Sequence, residues 1–347
     1  KITNKIVLIT GAGGSIGSEL ARQIFKLKPK KLILFEHSEY ALYQIHQELI
    51  KHSELNVTIV PILGSVTSKV RLTEVFKTYS VQTVYHAAAY KHVPLVESNQ
   101  SEGVLNNVFG TLIASKAAIS ANVETFVLIS TDKAVRPTNT MGAAKRCSEL
   151  ILQALSKNSH NTCFTMVRFG NVLDSSGSVI PLFKKQIKQG GPITVTDKNI
   201  VRFFMTITEA VELVIQSGAM GQGGDVFVLD MGNPIKIYDL AKKMILLSGL
   251  KVLDSSNPNG DIEIKFTGLR PGEKLYEELL IDGNITKTAN KLIMRTEESM
   301  IEWVVLETLL SQLEDACLRN NLNNIREILL TLVPEFKPQA QILEFKA

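Results

Sequence analysis

Short apolar, β-branched runs alternate with helical periodicity through the first half of the chain. Residues 6–10, IVLIT, lead into a glycine-rich stretch, and positions 18–27 then take helical spacing. KLILF ends at Glu36, and NVTIVPIL ends at Gly64. A helical pattern over 70–79 precedes TVYHAAA, FVLIS runs directly into Thr131, and CFTMVRFG follows a helical stretch over 141–155. Strands alternating with helices at this spacing predict right-handed crossovers and helices on both faces of a parallel sheet. The expected fold class is α/β, a doubly wound parallel-sheet Rossmann domain.

Beyond Gly170 the pattern loosens. NVLDSSGSVIPLF is turn-rich, PITVTD suits a short strand, positions 208–218 a helix, and FVLDMG a further sheet strand. Residues 235–278 mix a helix (YDLAKKMILLSG), a strand (IEIKFTG) and a loop (LRPGEKL), and amphipathic stretches at 301–318 and 322–332 finish the chain. With no linker or repeat in view, the expected organisation is a Rossmann domain over 1–172, to which 204–231 returns. A smaller interleaved lobe covers 173–203 and 232–300, and a C-terminal helical segment covers 301–347.

Composition adds mainly exclusions. Hydrophobic, charged and aromatic contents of 45%, 21% and 6% are globular values. The net charge of +4 comes from 38 basic and 34 acidic residues without long Lys/Arg runs, so nucleic acid is not an expected partner. Cys147, Cys163 and Cys317 have neither disulfide-framework nor metal-site spacing, so no metal is expected. No apolar run spans a bilayer and no signal peptide is visible, so the expected location is cytoplasmic. Lys1 is not an initiator methionine and the first strand begins almost at once, as in an excised domain. A preceding segment with a membrane anchor would place the protein at the inner face of the bacterial inner membrane.

Thr10-Gly-Ala-Gly-Gly-Ser-Ile-Gly17 falls between a strand and a helix. There Gly11, Gly14 and Gly17, with Gly13, Ser15 and Ile16 between them, would let a pyrophosphate approach the helix N-terminus. Glu36 stands where an acid takes ribose hydroxyls and repels a 2′-phosphate; His37 and Ser38 follow with no arginine, so NAD is favoured over NADP. Ala87, Ala88 and Ala89 offer small side chains beside the cofactor, Ser65 and Val66 after Gly64 are further cofactor candidates, and Asn107, itself a candidate cofactor contact, would with Thr111 tie the next helix to the sheet. A tight turn and a solvated acid are the plain alternatives for the glycines and Glu36.

TGAGGSIG, HAAAYKHVPLVE, STDKAVRPTNTMGAAK, VRFGNVLDSSGSVIPLF and LRPGEKLYEE together resemble an extended short-chain dehydrogenase/reductase. More narrowly, they resemble the UDP-N-acetylglucosamine 4,6-dehydratases of bacterial glycan pathways, in the subgroup with methionine in place of the catalytic tyrosine. That family uses NAD to oxidise carbon 4 of the sugar, eliminates water across carbons 5 and 6, and returns hydride to carbon 6. The resemblance makes Asp132 the acid for the departing hydroxyl, Lys133 the base at carbon 5 and Thr131 the contact to the 4-hydroxyl. Met141 marks the subgroup, and Lys145, one turn later, would hold the nicotinamide ribose. The chemistry requires a protonated Asp132 and a neutral Lys133, so burial and mutual coupling would have to shift both acidities.

For the UDP-sugar, the resemblance implicates Lys91, Asn171, Ser178 and Val179, with Arg202 and Arg270 on the diphosphate and Glu273 in the RPGEK turn. His92 is left out of catalysis. Asp174 stands where the family commonly has glycine, which puts that turn in doubt. The resemblance also implies a homo-oligomer, with helices over 106–121 and 141–156 as candidate interfaces. Alternatives are a UDP-sugar 4-epimerase, a 5-epimerizing dehydratase, or a catalytically silent NAD-binding module.

Overall fold

The computed structural model describes residues 1–51, 56–158, 161–279 and 285–339, so the last positions of the C-terminal segment, 340–347, lie outside the described residues. Among the described residues a nine-stranded sheet forms the centre. β1 (Ile6–Thr10) is flanked by β2 (Lys31–Glu36) and β4 (Thr83–His86); β3 (Thr58–Leu63) lies outside β2, and β5 (Thr125–Ile129) and β6 (Cys163–Arg168) continue beyond β4. Strand Asp225–Leu229 joins β6, and all seven run parallel. Strand order reverses between β1 and β4, so a crevice opens at their carboxyl ends.

Four of the five β1 residues and all of those in β4 and β5 are buried. That is why these strands appear in sequence as unbroken apolar runs. The alanines of TVYHAAA fall outside the strand: β4 stops at His86, leaving Ala87, Ala88 and Ala89 in the loop above it. The first helix, α1 (Ser15–Lys26), starts three residues before position 18, leaving a short glycine loop.

Two further strands correct the expected organisation. Ile293–Thr296 pairs antiparallel with Asp225–Leu229, and Ile285–Lys287 pairs antiparallel with Ile293–Thr296. Part of the stretch assigned to the smaller lobe is therefore an edge of the central sheet. The lobe itself has its own core of Phe183, Ile193, Val195, Ile200, Ile237, Ala241, Ile245 and Ile262.

The helix expected over 106–121 is compound. Gln100–Val104 is α-helical, Leu105–Phe109 forms a π turn, and Gly110–Ser120 resumes the α-helix. Residues Thr140 to Leu155 of helix Thr140–Asn158 are all buried. Helices Trp303–Leu318 and Leu322–Leu332 pack against that helix. Their apolar faces join its side chains in one cluster containing Leu150, Ile151, Leu306, Leu310, Ile325 and Leu329. The apolar stripe over 141–156 is thus covered by the chain's own C-terminus, which corrects its reading as a subunit interface.

Candidate active site

A cavity of about 870 Å³ opens at the carboxyl ends of the parallel strands, with walls from the glycine loop, the ends of β4 and β5, and the lobe. Gly11 has a φ of +65°, and a Cβ there would stand 2.8 Å from the Ala88 backbone. A Cβ on Gly17 would collide with the Gly11 carbonyl. The two glycines thus permit the tight turn that brings the N-terminus of α1, capped by Gly14, to the cavity wall with Ser15 and Ile16. Ser15 Oγ accepts a 3.1 Å hydrogen bond from the Ser176 amide, bridging this loop to the lobe.

Glu36 is buried at the end of β2. Its Oε2 accepts the Gly13 amide at 2.9 Å, and its Oε1 accepts the amides of His37 and Ser38 at 2.9 and 3.0 Å. It shapes the glycine loop, while the His37 ring is exposed beside it. Gly13 packs against Ala41, Ser65 turns its hydroxyl onto Thr67, and Val66 lies in the core against Gly110. None of these five positions lines the cavity; Ala87 and Ala89 do, with Ala88 closing on Gly11.

Asn107, expected at the cofactor, is a correction. It is 1% exposed, and its amide both accepts from Tyr90 N at 2.8 Å and donates to Tyr90 O at 2.9 Å, fixing the loop after β4. The Asn107 carbonyl, at the π turn, accepts the hydroxyls of Thr111 (2.7 Å) and Ser148 (2.9 Å). Thr111 in turn meets His86 Nε2, whose Nδ1 meets Thr10. Burial, then the Lys145 charge, pushes His86 down to about 3, so this ring is a neutral tie between β1 and the helical layer.

At the end of β5, the Thr131 side chain caps a single turn, Asp132–Ala134. Asp132 is fully buried. Its Oδ1 accepts from Thr131 Oγ1 and from Lys133 Nζ, both at 2.9 Å, while its Oδ2 has no partner. Asp132 is therefore not on the wall; Thr131 and Lys133 are, and they connect it to the cavity. Asn171 Oδ1 lies 3.5 Å from Lys133 Nζ, which places Asn171 at the Lys133 end of the cavity.

The expected acidity of Lys133 is overturned. Burial disfavours its ammonium, but the charges of Asp132 and Glu277 and the Asp132 hydrogen bond outweigh burial and raise its pKa. Glu277, absent from the sequence-based candidates, lines the cavity with Oε1 3.8 Å from Lys133 Nζ. Met141 and Lys145 share the wall as expected, and burial, partly opposed by Glu149, brings Lys145 down to about 8.

A sealed charge network lies beneath this turn. Ser130 Oγ donates to Glu149 Oε1 at 2.6 Å; Arg168 reaches Glu149 at 2.6 and 2.8 Å and pairs with Glu298, and Arg146 pairs with Glu149 at 3.1 Å. The sequence carries no periodic sign of it, since its members are spread from Ser130 to Glu298.

At the lobe end, Lys91, Ser178, Val179, Arg202, Arg270 and Glu273 all line the cavity. Asp174 adopts a φ of +61° and pairs with Lys184 at 2.9 Å, so the turn that commonly carries glycine forms here with a salt bridge. Arg202 is nearly buried and already engaged with the Val201 carbonyl (2.7 Å) and Glu273 (3.4 Å), whereas Arg270 is exposed on the wall. Glu273 also accepts the Arg270 amide at 3.1 Å, and Lys274 donates to the Val135 carbonyl at 2.9 Å. Thr138 and Asn139 each donate to the Gly272 carbonyl at 3.0 Å, bolting the RPGEK turn to the segment before Met141.

Residues 7–298 match the family model described as "Polysaccharide biosynthesis protein". The chain belongs to this family. The polysaccharide biosynthesis protein match ends before the C-terminal helices, which begin at Trp303. The capsular polysaccharide biosynthesis protein CapD of Staphylococcus aureus is 54% identical over 280 residues, 81% of this chain. The chain spans only 46% of the length of CapD. A UDP-glucose 4-epimerase of Rickettsia rickettsii is 33% identical over 95% of this chain and 96% of its own length. Among solved structures, Pen from Bacillus thuringiensis superposes with a TM-score of 0.76 at 33% identity, covering 90% of this chain and 98% of its own. No helix among the described residues of this polysaccharide biosynthesis protein is long and apolar enough to cross a membrane.

Proposed function

We propose that this protein is an NAD-dependent UDP-N-acetylglucosamine 4,6-dehydratase, a hydro-lyase acting in bacterial surface glycan synthesis. The observation that carries this reading is the Thr131-Asp132-Lys133 turn at the end of β5. Within it, two 2.9 Å hydrogen bonds join the buried Asp132 to the wall residues Thr131 and Lys133, while a methionine occupies the tyrosine position. The glycine cradle and the N-terminus of α1 fit a dinucleotide pyrophosphate, since Cβ atoms on Gly11 and Gly17 would fill that space. Bound there, NAD supplies removal of hydride from carbon 4 and its return at carbon 6.

The protein's residues supply the proton chemistry. Thr131 contacts the 4-hydroxyl, and its own hydroxyl donates to Asp132 Oδ1, so a proton leaving the sugar can pass along this bond to Asp132. Asp132 then provides the proton that accompanies the departing 6-hydroxyl, reached through its bonds to Thr131 and Lys133. Lys133, on the wall, takes the proton at carbon 5. Met141 contributes apolar surface and no proton, and Lys145 holds the cofactor's ribose with an ammonium brought close to neutrality.

Incubation with NAD and UDP-N-acetylglucosamine in heavy water, followed by NMR, tests this reading. A 4-keto, 6-deoxy product with deuterium at carbon 5 is expected. A 4-epimer would replace the dehydratase with an epimerase, the second reading, which the 33% identity to the Rickettsia UDP-glucose 4-epimerase favours. An unchanged sugar would indicate a silent module, and inversion at carbon 5 the epimerizing dehydratase.

The exposed guanidinium of Arg270 is the diphosphate contact in this reading, with Arg202 behind it holding Glu273. Arg270→Ala should raise the Michaelis constant for the UDP-sugar by about 10- to 100-fold, the scale of one lost charged hydrogen bond. The melting temperature should stay put, because the side chain is exposed; an unchanged Michaelis constant would remove Arg270 from the phosphate site.

A further inference from the structure

The proposed chemistry needs a neutral amine on Lys133, yet the folded protein holds that amine charged between two carboxylates. One of the two is Asp132. The other, Glu277, has a side chain only 3% exposed; it lines the cavity, and its Oε2 is buried with no hydrogen-bond partner. Its Oε1 lies 3.8 Å from Lys133 Nζ and 3.8 Å from Arg202 Nε. The groups facing Glu277 are thus Lys133, Asp132, Arg202 and, further out, Lys274. A buried, unpartnered carboxylate oxygen is costly as an anion and far less so as an acid.

We propose that Glu277 is the positioning residue that receives the Lys133 proton, freeing the amine that acts at carbon 5 of the sugar. This rests on the dehydratase reading above. The N–H bond on Nζ breaks with its electron pair left on nitrogen, and an O–H bond forms on Oε1. Lys133 goes from +1 to neutral and Glu277 from −1 to neutral, so the pair keeps zero net charge. Release of the same proton to bulk water would leave two buried carboxylates facing only Arg202 and, further out, Lys274. Transfer requires the 3.8 Å separation to shorten to a hydrogen-bond distance of about 2.7–3.2 Å. Once Lys133 returns a proton to carbon 5, the reverse transfer restores the resting pair. Burial raises the Glu277 carboxyl, against the opposing charge of Lys133, in keeping with its role as acceptor.

Glu277→Gln keeps the shape and removes the acceptor. Turnover at neutral pH should fall about 10²-fold, the lower end of a general-acid/base contribution. The lost activity should climb tenfold per pH step on the alkaline side, because the amine must then release its proton to solvent. Wild-type turnover should be flat across that range, and Glu277→Asp should restore the flat profile in part. An unchanged rate, or a loss that leaves the profile in its wild-type shape, overturns the inference. A second readout does not depend on turnover: in protein holding NAD and UDP-N-acetylglucosamine, the Glu277 carboxylic-acid carbonyl band in the infrared, distinct from that of Asp132, should vanish in Glu277→Gln. Product formed without that band overturns the role of Glu277. The band without product overturns the dehydratase reading and supports the proton partnership.

Discussion

Lys133→Met should lose turnover by about 10²- to 10⁴-fold, the range removed with a general base, while UDP binding measured by calorimetry stays within a few-fold. The amine is the titratable nitrogen that reaches from the Thr131-Asp132-Lys133 turn to the cavity wall, and methionine fills its volume without a proton site. Deuterium incorporation at carbon 5 should disappear together with product. Lys133→Arg separates base from charge: the guanidinium can still pair with Asp132 and Glu277 but does not give up its proton. If Lys133 were only an electrostatic strut, the arginine variant would stay active; if it is the base, both variants fall together. Undiminished turnover in the methionine variant would sink the assignment outright.

The central sheet was legible in the chain because its inner strands are buried on both faces and leave continuous apolar runs between helical patterns. The same physics hid the antiparallel edge, since Ile293–Thr296 is four residues buried only at its two ends and all three residues of Ile285–Lys287 are exposed. Thr131, Lys133, Met141 and Lys145 were legible through the family resemblance of STDKAVRPTNTMGAAK, and all four line the cavity. Glu277 was not: it is one of two adjacent glutamates beyond the RPGEK turn, and only the packed loop decides that Glu277 faces inward while Glu278 pairs with Arg136 at the surface. Asn107 was misplaced for a related reason. A polar residue that meets a cofactor and one that ties down a loop look alike in sequence until the Tyr90 backbone is seen to use both ends of the amide. The acidity of Lys133 depends on the neighbour 144 positions away that sequence spacing does not bring near it.

Glu149→Gln should be the most destabilising single change in the buried layer under the active site. Its carboxylate meets Arg168 at 2.6 Å, Arg146 at 3.1 Å and the Ser130 hydroxyl at 2.6 Å, and both Glu149 and Arg168 have fully buried side chains. Removing one partner of such a network leaves the others charged and uncompensated, at a cost of about 3–5 kcal/mol. Thermal denaturation near neutral pH should therefore shift down by on the order of 10 °C for a chain of this size. The pH dependence gives a sharper test. Burial alone would raise the Glu149 carboxyl, but Arg168, Arg146 and Ser130 overcome it and hold the group at about 2, against 4.5 ordinarily. Its contribution is therefore fully present above pH 4.5 and is lost as pH falls through 2, a swing of about 3 kcal/mol. The wild type should lose that stability progressively on acidification, whereas the glutamine variant starts lower and lacks this acid-dependent component. Equal acid sensitivity in the two proteins would mean that other carboxylates, and not this network, set the acid limit of the fold. Ser130 immediately precedes Thr131, so at permissive temperature the variant should also lose turnover with little change in Michaelis constant as the end of β5 loosens.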